Sequence, residues 1–340
     1  MRKYFGFGIV LFMILVLTAC GEKSKEDVMS KLEENLNNMS GYQAEASMSL
    51  ETGEESQTFM IDIAHKKENY YRVLLKNEND EEGSQIILRN DDGVFVLTPA
   101  LNKSFKFQSE WPNNSSQPYL YQSLVDDILA DSESSFTTTE NHYVFETKTN
   151  YQNNTNLPYQ EIYFDKKNFT PLLVKVLDKD KKSVVEVDFS TFELNPEFEE
   201  GTFEIEKNMT SSIFGIPVMA EQDESPKQLS ILYPTETLGS ELVETNEIDT
   251  ENGKRVILSY EGEKNFRLVQ ELVDAYPTSA ASPKSMPGSE PVNLGFTVGA
   301  QTDKALEWSN NGVNYYLASD ELAKQEMIDV VSSDAAQSSK

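Results

Sequence analysis

The chain has 340 residues, 57 acidic against 29 basic side chains, a formal net charge of -28 and one cysteine. A surface this acidic excludes electrostatic binding to nucleic acid, which needs a positive footprint, and docking on anionic lipid head groups. A single thiol excludes an internal disulfide or thiolate metal cluster, so stability rests on buried apolar surface, for which 15 tyrosines and 18 phenylalanines supply material suited to strands.

In chain order, Arg2 and Lys3 precede an apolar run from Tyr4 to Leu17, which ends at Thr18-Ala19-Cys20. A basic start, a short apolar middle and small residues before a cut site make a secretory signal, and the run is short of the ~20 residues of a spanning helix. Leu17-Thr18-Ala19-Cys20 resembles the box of bacterial lipoprotein signals. The resemblance implies cleavage before Cys20, a diacylglyceryl group on its thiol, and palmitate or similar acyl chains that hold the chain on the extracytoplasmic face of the cell membrane. Loss of Arg2 and Lys3 takes the net charge from -28 to -30. The expected division is a signal over 1–19, an anchored tether over 20–26, a first domain over 27–207, a linker over 208–227, a second domain over 228–335 and a tail over 336–340.

A helix is predicted from Glu26 to Asn38, with Val28, Leu32 and Leu36 on one stripe, Ser24 as its cap and Asp27 closing a capping box. Alternating apolar residues then predict strands over Tyr42–Leu50, Phe59–Ile63, Asn69–Lys76, Gln85–Arg89, Val94–Leu97 and Lys103–Gln108, with Asn90-Asp91-Asp92-Gly93 as a hairpin turn. Trp111 to Pro118 reads as a loop, and Tyr119 to Ala130 as a second helix with Leu120, Leu124 and Ile128 in register. Strands resume over His142–Glu146, Gln160–Phe164, Pro171–Leu177 and Val184–Phe192, and Phe198–Glu206 reads as an edge strand. After the linker come strands over Gly253–Tyr260, Asn265–Glu271, Val292–Ala300, Lys304–Ser309 and Val313–Leu317. Tyr276–Pro291 reads as a mobile excursion, and a final helix over Ser319–Val330 is capped by Ser319.

The fold class expected is α+β: a strongly curved antiparallel sheet, an open half-barrel covering helices, followed by a smaller α+β domain. Catalytic sets are missing. His65 and His142 stand apart, and no nucleophile elbow, zinc-protease or P-loop motif occurs. Asp178-Lys179-Asp180 opens like a calcium loop but places Lys182, Ser183 and Phe189 where ligands and glycine belong. Asp91-Asp92, Asp126-Asp127 and Glu199-Glu200 are pairs of the kind that 57 acids produce by chance. No enzyme activity, cofactor or metal site is expected.

The order Leu32-x3-Leu36-x2-Met39-Ser40-Gly41-Tyr42-Gln43-Ala44, then Tyr70-Tyr71-Arg72-Val73, then Gln85 to Pro99, Lys103 to Phe107 and Tyr163 to Val176, resembles the LolA/LolB-like lipoprotein-carrier superfamily. That resemblance implies a half-barrel with an apolar pocket for an acyl chain, a lipoprotein or a partner's segment. The candidate pocket residues are Leu32, Leu36, Tyr71, Val73, Phe105, Phe107, Trp111 and Tyr121. Residues 228–335, through Val256-x-Leu258-x-Tyr260-x-Gly262-x2-Asn265-Phe266-x-Leu268-x-Gln270 and Leu306-x-Trp308-x3-Gly312-x2-Tyr315-x-Leu317, are similar to a small domain of anchored proteins from Gram-positive spore formers. Together they imply a sporulation-type lipoprotein, either binding an apolar ligand or serving, with its half-barrel filled as core, as a cofactor of a cell-wall or cortex-processing enzyme. The partners expected are the membrane through the lipid anchor, a lipid or lipoprotein ligand, and an envelope enzyme.

Overall fold

A computed structural model describes residues 22–52, 55–77, 80–113, 116–151, 156–210, 229–250, 253–272, 283–294, 297–310 and 312–332. The signal, Cys20, most of the 208–227 linker and the 336–340 tail lie outside the described residues.

Helix α1 (Lys25–Asn38) starts at the expected capping box: the Ser24 hydroxyl accepts from the Asp27 N–H at 3.2 Å and the Asp27 carboxylate accepts from the Ser24 N–H at 3.1 Å. It buries Val28 and Leu32. A meander follows: β1 (Gly41–Thr52), β2 (Glu55–Lys66), β3 (Tyr70–Asn77), β4 (Asp80–Asn90), β5 (Gly93–Thr98) and β6 (Lys103–Phe107). The β4–β5 turn is the one predicted, with Asn90 Oδ1 accepting from the Asp92 N–H and Gly93 at φ +133°, a conformation that glycine adopts without a side-chain clash. Helix α2 (Tyr121–Ala130) interrupts the meander, which resumes with β7 (Ser135–Thr138), β8 (His142–Lys148), β9 (Tyr159–Asp165), β10 (Pro171–Leu177) and β11 (Ser183–Leu194). Asp178 Oδ1 accepts from the N–H groups of Asp180 and Lys182, so the segment that opened like a calcium loop is an aspartate-braced turn.

Phe198–Glu206 is not an edge strand. Gly201 at φ +80° turns the chain into the short helix α3 (Ile205–Met209), and Phe203, Ile205 and Met209 cover Ile86, Leu88, Phe95 and Leu97. These four lie on the outer face of β4 and β5, which is why β5 buries both of its faces. Arg72 fastens the cover, donating to Asn208 Oδ1 and to Asp62 Oδ1, each at 2.7 Å. Asn208 and Met209, expected in the linker, thus pack on the first domain.

The second domain contains β12 (Ser240–Thr250), β13 (Gly253–Gly262), β14 (Phe266–Leu272), β15 (Lys284–Met286), β16 (Glu290–Asn293), β17 (Val298–Gln301), β18 (Ala305–Asn310), β19 (Val313–Ala318) and α4 (Lys324–Ser332). Two parts of the expected Tyr276–Pro291 excursion, β15 and the start of β16, are therefore strands; residues 273–282 lie outside the described residues. The last helix begins later than predicted. Ser319 Oγ caps a preceding turn by accepting from Glu321 and Leu322, and Glu326 reaches back to the Ala323 N–H at 2.8 Å.

Two sheets result. The larger has the order β15-β6-β5-β4-β3-β2-β1-β11-β10-β9-β8-β7 and does not close on itself; the smaller runs β12-β13-β14-β19-β18-β17-β16. All neighbours are antiparallel except β15, which runs parallel to β6 and pairs Lys284 with Phe105 and Met286 with Phe107. The second domain therefore completes the first domain's sheet. Gln85, buried in β4, reinforces the junction: its Oε1 accepts from the Val298 N–H at 2.6 Å and the Thr297 hydroxyl at 3.0 Å, and its Nε2 donates to the Val298 carbonyl at 3.2 Å. The fold is α+β, an open curved sheet wrapped on α1 and α2, with a smaller sheet joined to one edge.

Candidate functional site

The concave face of the larger sheet is built from alternating residues. Tyr42, Ala44, Ala46 and Met48 of β1, Phe59, Ile61 and Ile63 of β2, and Tyr71 and Val73 of β3 point the same way and are buried. Val28 and Leu32 of α1 and Tyr121, Leu124, Val125 and Ile128 of α2 fill the space they enclose. One row of this face is aromatic across four strands. Phe192 stacks on Tyr42 at 5.0 Å, Tyr42 lies 5.2 Å from His65, and His65 stacks on Tyr71 at 4.3 Å. Tyr71 meets the edge of Trp111 at 5.7 Å. The row exists because Tyr42, His65 and Tyr71 are direct cross-strand partners, so one register stacks three rings.

The eight candidate pocket residues fall together here. Tyr71, Val73, Phe107, Trp111, Tyr121 and Leu32 are at most 2% exposed, and Leu36 and Phe105 pack against the same cluster half-buried. Their polar atoms are satisfied inside it: the Tyr71 hydroxyl donates to Gln122 Oε1 at 2.9 Å, and the Tyr121 hydroxyl to the Phe169 carbonyl at 3.3 Å. Arg89 donates to the carbonyls of Glu110 and Trp111 and so pins the loop that carries the indole. The eight residues are core, and none of them lines either of the two clefts described next. His65 belongs to this core as well. Burial draws its pKa down to about 4, against the bond that its Nδ1 makes to the Tyr70 carbonyl at 3.1 Å.

The first cleft, of about 600 Å³, lies beside the Trp111–Pro118 loop and is polar. Asp126, Asp127, Asp131, Glu133 and Lys148 line it. Asp127 is 6% exposed and sits on the apolar side of α2, three residues after Leu124. Its Oδ1 accepts from the Ser116 hydroxyl and its Oδ2 from Gln160 Nε2, both at 2.7 Å, while Gln160 Oε1 accepts from the Tyr151 hydroxyl at 2.6 Å. Burial raises the Asp127 carboxyl to about 6 in spite of those donors. The aspartate braces α2, the loop and β9 against one another. Burial disfavours the charge of Asp131, but the Lys148 and Glu133 N–H groups, the Thr147 hydroxyl and the Lys148 ammonium outweigh it and lower its pKa. An acid on a helix's apolar stripe was the sequence signal for this brace. Within the described residues no three His, Cys, Asp or Glu side chains come together as a metal would need.

The second cleft, of about 590 Å³, is shallow and lies on the outer face of the smaller sheet, between Glu244 of β12, Arg267 of β14, Tyr316 of β19 and the turn that carries Asp320 and Glu321.

Residues 2–203 match the model of the sporulation protein YdcC-like family. The sporulation protein YdcC of Bacillus subtilis (strain 168) is 48% identical over 331 residues, covering 97% of this chain and 96% of the relative. Among solved structures, the MucA/MucB complex of Pseudomonas aeruginosa is 11% identical to this chain, covers 87% of it and 96% of the matched chain, and superposes with a TM-score of 0.33. The LolA superfamily protein NE2245 from Nitrosomonas europaea is 12% identical over 54% of this chain and 98% of its own, with a TM-score of 0.29. A chain of the structure of the CwlD amidase from Clostridioides difficile in complex with the GerS lipoprotein matches at 15% identity over 53% of this chain and 97% of its own, with a TM-score of 0.20. By family match and by near full-length identity, the chain belongs to the sporulation protein YdcC-like family.

Proposed function

We propose that this chain is a non-enzymatic lipoprotein, anchored through Cys20 on the outer face of the cell membrane, that acts in sporulation by holding a partner protein. The partner fits the class of cell-wall or cortex-processing enzymes. The observation that carries this reading is the filled concave face: Tyr71, Trp111 and Tyr121 occupy, at no more than 2% exposure, the place an acyl chain would need. Recognition then falls to outer surfaces, which are polar and acidic, and such surfaces suit a protein better than a lipid tail. The version in which the half-barrel holds an acyl chain loses support on the same ground. The anchor reading rests on the Leu17–Cys20 box, and the net charge of -30 after cleavage leaves the lipid as the attachment to an anionic bilayer.

The test is cross-linking and affinity recovery from detergent-solubilised sporulating membranes, with native mass spectrometry of the purified protein. The expected result is a stoichiometric protein partner and an intact mass carrying the anchor lipid alone. Repeated recovery of the protein by itself, or a second, non-covalent acyl ligand, overturns the reading. A Cys20→Ala variant that is cleaved yet stays on the membrane overturns the anchor.

A further inference from the structure

Strand β12 differs from every other long strand here. It is 11 residues long, ends the smaller sheet, and has β13 as its one described neighbour. From Glu241 to Asp249 every residue is exposed, including Leu242 at 40%, Val243 at 54% and Ile248 at 40%. A register shift between Leu242 and Glu244 confines the irregularity to its first part. From Glu244 to Thr250 the pairing with β13 is regular, so this stretch presents a straight row of outward backbone donors and acceptors. Such a row is a template for another strand, and proteins normally shorten it, bend it or cover it.

We infer that the edge of β12 from Glu244 to Thr250 takes up, by strand addition, an extended segment of a partner protein in which basic residues alternate with apolar ones. The inference rests on the partner-binding reading above and names the surface and the chemistry. Main-chain hydrogen bonds supply affinity in this mode, and side chains on either face supply choice. The side chains here are Glu244, Asn246 and Ile248 on one face and Thr245, Glu247 and Asp249 on the other. Lys254 bonds Glu247 at 2.7 Å and lies near Asp249, but no described ion pair reaches Glu241 or Glu244. The shallow cleft next to the edge shares Glu244 and adds the exposed ring of Tyr316, a seat for the first basic or apolar side chain of the incoming strand. A second copy of this chain is the poorer occupant, since it would set one net-acidic edge against another. A twofold pairing centred on Glu247 sets that carboxylate against its own copy, and one centred on Ile248 sets Glu247 against Asp249; one centred on Asn246 opposes no two acids directly but still brings two net-acidic edges together. Like charges directly opposite destabilise a strand pair. The acids thus disfavour self-pairing along the same edge on which they attract a basic segment.

The test uses full-length protein in detergent and a fluorescent, end-blocked peptide of alternating lysine and valine. The expected result is saturable binding at low salt that protects the β12 amides from hydrogen exchange. Binding should fall at least tenfold in a Glu244→Lys, Glu247→Lys, Asp249→Lys variant and in a peptide N-methylated at alternate residues. Equal binding of the N-methylated peptide, protection elsewhere, or no binding overturns the inference; so does dimerisation that protects β12 without peptide. If the natural partner recovered from membranes is retained by the triple variant, the inference fails while the partner reading stands. If the peptide binds as expected but membranes yield no partner, the partner reading fails while the edge remains a strand-accepting surface.

Discussion

The two sheets treat their exposed surfaces in opposite ways. The larger sheet spends its aromatic residues inward, has its outer face at β4 and β5 covered by α3, and has one edge, β6, covered by β15 from the other domain. Its other edge, β7, is four residues long. The smaller sheet leaves β12 exposed over the nine residues from Glu241 to Asp249 and studs it with acids. The contrast teaches that the part of this chain with the shape of a container is filled, while the part without that shape keeps an open surface.

The largest expected effect comes from the filled face. Truncating Tyr71 or Trp111 to alanine removes a buried ring from the aromatic row and should destabilise the fold by about 3–5 kcal/mol. Leu242→Ala, on the open strand, should stay within about 0.5 kcal/mol of wild type. Chemical denaturation compares them. If Trp111→Ala were as mild as Leu242→Ala, the concave face would be a lined cavity and the contrast would collapse.

Next in size is the junction between the sheets. Gln85→Ala leaves the Val298 N–H and carbonyl and the Thr297 hydroxyl without this partner in a buried setting. The expected loss is roughly 2–3 kcal/mol. It should appear first as faster hydrogen exchange in β17 and β15, and only later in β1. Uniform exchange across both domains would mean that they unfold as one unit and that the junction is not the weaker region.

Much of this organisation was legible in the sequence, and the failures have specific causes. The capping box at Ser24 marks the helix start, and the stripe Val28–Leu32–Leu36 and the alternation of Phe59, Ile61, Ile63 and of Tyr71, Val73, Leu75 mark inward faces, which the structure buries with Leu36 half-buried at the stripe's end. The same pattern could not tell a filled face from a hollow one, since both need apolar side chains pointing inward. β12 escaped because it buries neither face, so Ser240 to Thr250 carries no alternation to read. β15 escaped because it is three residues long and owes its existence to a distant parallel partner, β6. Phe198–Glu206 has the aromatic content of a strand, but Gly201 turns it and Asn208 holds it, donating to the carbonyls of Thr202 and Glu204. Asp127 was read as one half of a chance acidic pair. Its place on an apolar helix stripe carried the information that its neighbour Asp126 lacks.

The finest test separates two buried titrating groups within the filled domain. The folded pKa of His65 is depressed from 6.5 to about 4, so the stability it contributes is full above pH 6.5 and is lost as pH falls toward 4. The folded pKa of Asp127 is raised from 3.8 to about 6, so its contribution is full below pH 3.8 and is lost as pH rises through 6. Each shift corresponds to roughly 3 kcal/mol, with opposite sign, and between pH 4 and 6 the two nearly cancel. Replacing one group should therefore unmask the other. Relative to wild type, Asp127→Asn should lose about 3 kcal/mol between pH 7 and pH 4, and His65→Phe should gain a similar amount over the same range. Difference curves of unfolding free energy against pH remove the contribution of the many surface carboxylates, which both variants share. Curves that run parallel to wild type would mean that neither group is as buried as the filled face requires. A slope in Asp127→Asn alone would leave the Ser116–Asp127–Gln160 brace intact and place the loosening at the His65 row.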